Sequence, residues 1–128
     1  MNELLKQALG ARENAYVPYS GFKVGAVVQT ADGRVFTGCN VENISYGLTN
    51  CAERTAIFSA VAAGAQNLST LLVVADSPRP VAPCGACRQV MAEFGINTVH
   101  MANTNGDLKT VSMQELLPYA FSEKDMEV

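Results

Sequence analysis

The segment Leu71-Leu72-Val73-Val74-Ala75 is a continuous apolar run of strand length, flanked by two stretches that each open on a cysteine. Such a run marks a central strand covered on both faces. Upstream, Cys51 to Ala63 is alanine-rich and apolar almost all round, which predicts a buried helix. Gly64 is placed to cap its C-terminal end. Downstream, Cys84–Phe94 predicts a second helix and Thr98–Ala102 a further strand, so the order is an α/β alternation. The loop Asn103-Thr104-Asn105-Gly106-Asp107 is too short for a parallel crossover. The strand near Leu108–Val111 is therefore expected to run antiparallel to its neighbour.

Outward from this centre, Leu4, Leu5, Ala8, Leu9, Ala11 and Ala15 recur at helical spacing within residues 2–16. Val17-Pro18-Tyr19-Ser20-Gly21 breaks that pattern, because proline lacks an N–H and restricts the residue before it. Phe22 to Val28 and Arg34 to Gly38 predict paired strands around the hairpin signal Asp32-Gly33. Ser112 to Leu117 predicts a short last helix, with Ser112 as N-cap and Glu115 three residues on. The layout is one mixed sheet between helices, with no repeat, low-complexity segment or linker.

The chain has 128 residues, a length that suits one compact domain spanning 1–128. It is 48% hydrophobic, which excludes a disordered chain. Only 16% of residues are charged, against about 25% in an average protein, which hints at subunit contacts. The net charge of −3 offers no basic field for a nucleic-acid polymer. The start MNELLKQAL does not resemble a signal peptide, and no apolar run is long enough to span a membrane. A cytoplasmic protein with no membrane partner is expected.

The four cysteines are Cys39, Cys51, Cys84 and Cys87. In a reducing compartment they suggest a metal or catalysis more than disulfides. Cys84-Gly85-Ala86-Cys87 puts two thiols three residues apart at a predicted helix start, close enough to share one ion. The positive helix end there favours thiolates. A redox pair remains the other reading of this spacing, although such a pair usually follows the first strand of its unit. Cys51 opens the other helix, and helix starts tend to gather at the carboxyl ends of strands. Three thiolates can therefore converge on one Zn²⁺ with its fourth position open, the mark of a catalytic rather than a structural zinc. Glu53, at the mouth of an apolar helix, is expensive to bury unless paired or employed. Its plain alternative is a first-turn acid that complements the helix dipole.

These motifs resemble the zinc-dependent cytidine deaminases, in their small homotetrameric form with three cysteine ligands. The likeness runs through Pro18-Tyr19-Ser20, Phe22-x-Val24-Gly25-Ala26 and Gly38-Cys39-Asn40-Val41-Glu42-Asn43. It continues through Cys51-Ala52-Glu53-Arg54-Thr55-Ala56, Pro83-Cys84-Gly85-Ala86-Cys87-Arg88-Gln89 and Leu116-Leu117-Pro118-Tyr119-Ala120-Phe121. It is weakest from Ile44 to Asn50.

The resemblance implies a three-layer α/β/α sandwich with a mixed five-stranded sheet. It implies one Zn²⁺ per subunit on Cys51, Cys84 and Cys87, and attack of zinc-bound hydroxide on the amino-bearing ring carbon of cytidine. Deoxycytidine is the expected second substrate, uridine or deoxyuridine plus ammonia the products, and pyrimidine salvage the setting. Glu53 is expected to shuttle the protons, and Arg54 to drain charge from the cysteine sulfurs. The Ala52 N–H is expected on the base carbonyl, Phe22 against the pyrimidine face, and Asn40 and Glu42 on the ribose hydroxyl. A carboxylate at that place suits a neutral sugar and repels a phosphate. Phe121, and Tyr46 with it, are expected to reach a neighbouring subunit's site in a homotetramer. Cys39 and His100 are read as structural. The alternatives are a blasticidin-type nucleoside deaminase and a non-catalytic zinc module with Cys39 as fourth ligand. A polynucleotide editor fits the acidic charge poorly.

Overall fold

A computed structural model describes residues 2–126. Its frame is a five-stranded sheet in the order β2-β1-β3-β4-β5. The strands are β1 (Val24–Thr30), β2 (Val35–Cys39), β3 (Leu68–Ala75), β4 (Thr98–Asn103) and β5 (Leu108–Ser112). Only β3 and β4 are parallel, and the other neighbours are antiparallel. The mixed sheet and the antiparallel last strand are as expected. The apolar run 71–75 is the middle strand, fully covered, and its strand extends back to Leu68.

Helix α1 (Asn2–Arg12) packs Leu4, Leu5, Ala8 and Leu9 with Val27, Leu72, Val74 and Ala102 on one face. On the other face α2 (Ala52–Ala62) and α3 (Gly85–Glu93) bury Ala56, Ile57, Ala60, Cys87 and Met91 against Val28, Leu71, Val73 and Val99. The result is three layers, helix, sheet and helices. The last helix, α4 (Met113–Leu116), starts with the expected capping box, Ser112 and Glu115 each bonding the other's backbone. Gly64 closes α2 with φ of 83°, a left-handed conformation that suits glycine.

Two boundaries and one helix face differ most from the periodicity. Helix α1 ends at Arg12 rather than 16, because Tyr16 pairs with residues near Val41: its N–H donates to Asn40 O and its carbonyl accepts from Glu42 N. Strand β1 starts at Val24 rather than Phe22, because side chains rather than a neighbouring strand satisfy the backbone of Phe22. Helix α2 is not covered all round: Phe58 and Val61 are exposed on the side away from the sheet.

Two glycines set how closely the helices approach. A Cβ on Gly38 would collide with the backbone nitrogen of Ala56 and come within 2.7 Å of the Ala52 carbonyl. A Cβ on Gly25 would strike the Ala8 carbonyl and the start of the Arg12 side chain. Helix α2 thus lies directly on β2, and the first turn of α2 is held at the end of that strand. Gly38→Ala should destabilise the fold by about 1–3 kcal/mol, the usual cost of overpacking. A lowered urea midpoint with an unchanged slope would report it.

Candidate active site

The two helices that face the same side of the sheet begin alike. Cys51 and Cys84 are the N-cap residues of α2 and α3, with nearly the same extended backbone (φ −72°, ψ 155° and φ −71°, ψ 168°). Their sulfurs lie 3.9 Å apart although 33 residues separate them. Cys87 sits at the third position of α3, where a side chain comes back to the N-cap as in a capping box. The sulfurs of Cys51, Cys84 and Cys87 all fall within 4.8 Å of one another.

Zinc on thiolates has bonds of about 2.3 Å, and a tetrahedron of that size has edges of about 3.8 Å. The observed 3.9 Å matches such an edge, and three soft donors suit zinc above harder cations. Cys39 lies outside this cluster, so the structure does not assemble the four-cysteine module.

Arg54 takes the N-cap-to-third-position relation in α2 and donates from Nη2 to the Cys51 sulfur at 3.3 Å. Its Nε is buried without a partner. The hydrogen bond from the Cys87 thiol, with help from Arg54, pulls Cys51 down to about 5 in the metal-free chain. The Cys87 thiol is pushed up by that same bond to Cys51, by burial and by the negative neighbours Glu53 and Cys51. A cation is held by thiolates, so its uptake releases the protons these cysteines carry.

Glu53 stands at the second position of α2, only 4% exposed. Burial pushes its carboxyl up to about 7, against the attraction of Arg54. It can therefore both take and give a proton near neutrality. Ala52, first in the helix, has a backbone N–H with no carbonyl of its own helix to receive it.

A cleft of about 300 Å³ gathers Phe22, Asn40, Glu42, Cys51, Ala52, Glu53 and Cys84. That size falls at the lower end of small-molecule sites, roughly 300–1,000 Å³. A larger hollow of about 670 Å³ lies at the far ends of α2 and α3, away from the sulfurs. Chemistry rather than size identifies the site.

The cleft walls are tied together. Asn40 accepts from Val24 N at 2.9 Å and donates to Phe22 O at 2.8 Å. Glu42 Oε1 accepts from the N–H groups of Tyr19 (3.0 Å) and Ser20 (3.1 Å), and Oε2 accepts from the Ser20 hydroxyl. These bonds, the hydroxyl first, hold the Glu42 carboxyl below its ordinary range. Phe22 is 43% exposed and in a loop, not in a strand as its pattern suggests.

Tyr46 and Phe121 are not in this cleft. Tyr46, 73% exposed, lines an adjoining hollow with Tyr19, Ser20, Glu42 and Thr49. Phe121 is 61% exposed, and its carbonyl is held by the Gln89 amide at 2.9 Å. Ser20, Val24, Thr49, Val73, Val81 and Ala82 also line the cleft. No single-residue signal marks Val73, Val81 and Ala82, since apolar lining residues look like core. Ser20 stood in a quoted motif, but its partner lies 22 residues away.

The description "cytidine and deoxycytidylate deaminase zinc-binding region" fits residues 1–103. The chain belongs to this deaminase family. Cytidine deaminase of Halalkalibacterium halodurans is 54% identical over 125 residues, covering 96% of this chain and 95% of that one. The crystal structure of cytidine deaminase from Burkholderia pseudomallei superimposes with a TM-score of 0.91 at 55% identity, over 94% of this chain and 98% of that one. Cytidine deaminase from Mycobacterium tuberculosis gives 0.80 at 42% identity, over 94% and 96%. The five-stranded mixed sheet is thus the deaminase fold, and the cysteine cluster could hold the metal in the family's zinc-binding region. No helix of the described residues is long and apolar enough to cross a membrane.

With Arg54 supporting the Cys51 thiolate, Arg54→Gln should raise the midpoint near pH 5 at which that thiolate forms. Ultraviolet absorbance of thiolate, followed against pH in metal-free protein, measures it. An unmoved midpoint would remove Arg54 from this role.

Proposed function

We propose that this protein hydrolyses the amino group from cytidine, giving uridine and ammonia, with deoxycytidine as second substrate. The observation that carries the reading is the meeting of a three-sulfur metal cluster and a buried, near-neutral Glu53 in one nucleoside-sized cleft. Full-length similarity to proteins named cytidine deaminase supports it.

Cys51, Cys84 and Cys87 hold the zinc, one ion per subunit. When bound, the ion would supply Lewis acidity, lowering the pKa of a water molecule to near neutrality. Glu53 takes the proton of the attacking water on its carboxylate and passes it to the ring nitrogen. It then carries a second proton to the departing ammonia. Arg54 offsets the negative charge of three thiolates, which would otherwise oppose that acidity. The Ala52 N–H binds the base carbonyl, and Phe22 lies against the ring. Asn40 and Glu42 face the sugar: Asn40 keeps one amide hydrogen after its two internal bonds, and Glu42 keeps one acceptor position. A carboxylate at the sugar end selects against phosphate, hence for nucleosides over nucleotides.

The protein acts as one domain in a homotetramer, in the cytoplasm, in pyrimidine salvage. Support for the tetramer comes from Tyr46 and Phe121, aromatics that are exposed and outside their own cleft, and from the bare side of α2 at Phe58 and Val61. Each site is completed by the aromatic groups of its neighbours. Neither a polynucleotide nor a membrane is a partner.

Purified zinc-loaded protein should convert cytidine to uridine, followed by the change in ultraviolet absorbance. Glu53→Gln should keep its zinc and lose turnover by about a hundredfold to ten-thousandfold, the range for general acid–base groups. Wild type that leaves cytidine and deoxycytidine untouched would end the reading. Cys39→Ser should retain the full metal content in elemental measurement, whereas a four-cysteine module would lose it.

A further inference from the structure

We infer that Ser20 is a positioning residue for sugar recognition, orienting the Glu42 carboxylate so that a single acceptor position is left for one sugar hydroxyl. The inference rests on the nucleoside reading above and adds to it a residue and a selection rule.

The geometry is local and complete. A serine hydroxyl has one proton to give and two lone pairs. The Phe22 N–H donates to the Ser20 oxygen at 3.0 Å, which occupies one lone pair. The hydroxyl proton goes to Glu42 Oε2. Phe22 thus settles where the serine's oxygen sits, and the proton points to the carboxylate. Asn40 holds the carbonyl of the same Phe22 at 2.8 Å, so the residue whose N–H braces Ser20 is held on its other side as well.

Glu42 has about four lone-pair positions on its two oxygens. Two on Oε1 are taken by the N–H groups of Tyr19 and Ser20, and one on Oε2 by the Ser20 hydroxyl. One position on Oε2 is left. Glu42 and Ser20 both line the cleft that holds Glu53 and Cys84. The free position therefore suits one hydroxyl donor, and offers nothing to a phosphate, which brings only acceptors at neutral pH. Removing the serine hydroxyl would open a second position and let the carboxylate turn about its last bond. The site would keep its charge and lose its aim.

Uridine and dideoxyuridine differ only in the ring hydroxyls of the sugar. Each is tested as an inhibitor of cytidine turnover by zinc-loaded protein, and the ratio of their inhibition constants is the readout. Ser20→Ala should shrink the preference for uridine about tenfold, the effect of one charge-assisted hydrogen bond misplaced. Ser20→Thr, which keeps the hydroxyl, should restore most of it. In a Glu42→Gln background the alanine substitution should change the ratio less than about twofold, because paired residues are not additive. A variant that is merely unstable weakens both inhibitors together and leaves the ratio unchanged. An unchanged ratio in Ser20→Ala, or a full tenfold loss persisting beside Glu42→Gln, overturns the assignment while cytidine turnover stands. Wild-type protein with no turnover of cytidine overturns the nucleoside reading and this inference with it.

Discussion

The contact that the site depends on is made by an absent atom. Gly38 lets the backbone of α2 rest on β2 at Ala52 and Ala56, closer than any side chain would permit. That seat decides the height at which Cys51, Ala52, Glu53 and Arg54 emerge at the strand's end. Gly25 does the same for α1 on the opposite face, so β1 and β2 are clamped between two helices at nearly bare backbone. Dense interiors transmit small displacements instead of absorbing them. A shift of α2 by the width of a methyl group would carry Cys51, Glu53 and Arg54 with it.

Upon this seat the chain applies one helix-start device three times. In α4 it is the ordinary pair of Ser112 with Glu115, which satisfies orphan N–H groups. In α3 the same two positions carry Cys84 and Cys87, and in α2 they carry Cys51 and Arg54. A geometry that elsewhere only ends a helix neatly here brings sulfur to sulfur and guanidinium to sulfur. The positive ends of two helices then face the cluster, a setting that favours thiolates. Glu53, between the paired positions of α2, is left to face the cleft rather than its own helix.

Features set by neighbours in sequence were legible beforehand: the covered strand at 71–75, the turn at Asp32-Gly33, the capping box, and the thiols at 84 and 87. The cysteine cluster was legible too, since helix starts collect at one edge of such a sheet. Other features depend on side chains that reach across the chain. Phe22 carries a strand pattern, yet Ser20 and Asn40 claim its N–H and carbonyl and keep it in a loop. Ser20 read only as part of a helix-breaking stretch, because its carboxylate partner comes from beyond the first hairpin. The bare side of α2 was hidden for another reason. Apolar composition at Phe58 and Val61 marks a residue as needing cover, without saying whether its own chain supplies it.

The order of the elements also bears on how the molecule comes into being. A chain is synthesised from its N-terminus at about 5–20 residues per second, and domains consolidate as they emerge. β1, β2 and their neighbour β3 are all present before Cys84 and Cys87 leave the ribosome. For several seconds by that rate a nascent chain carries Cys51 without the other two sulfurs of its cluster, with a guanidinium at its side. A lone sulfur holds no ion against a cell's competing ligands. Three of the five strands thus precede the last two sulfurs in the chain, and metal can join the three sulfurs only once α3 has docked.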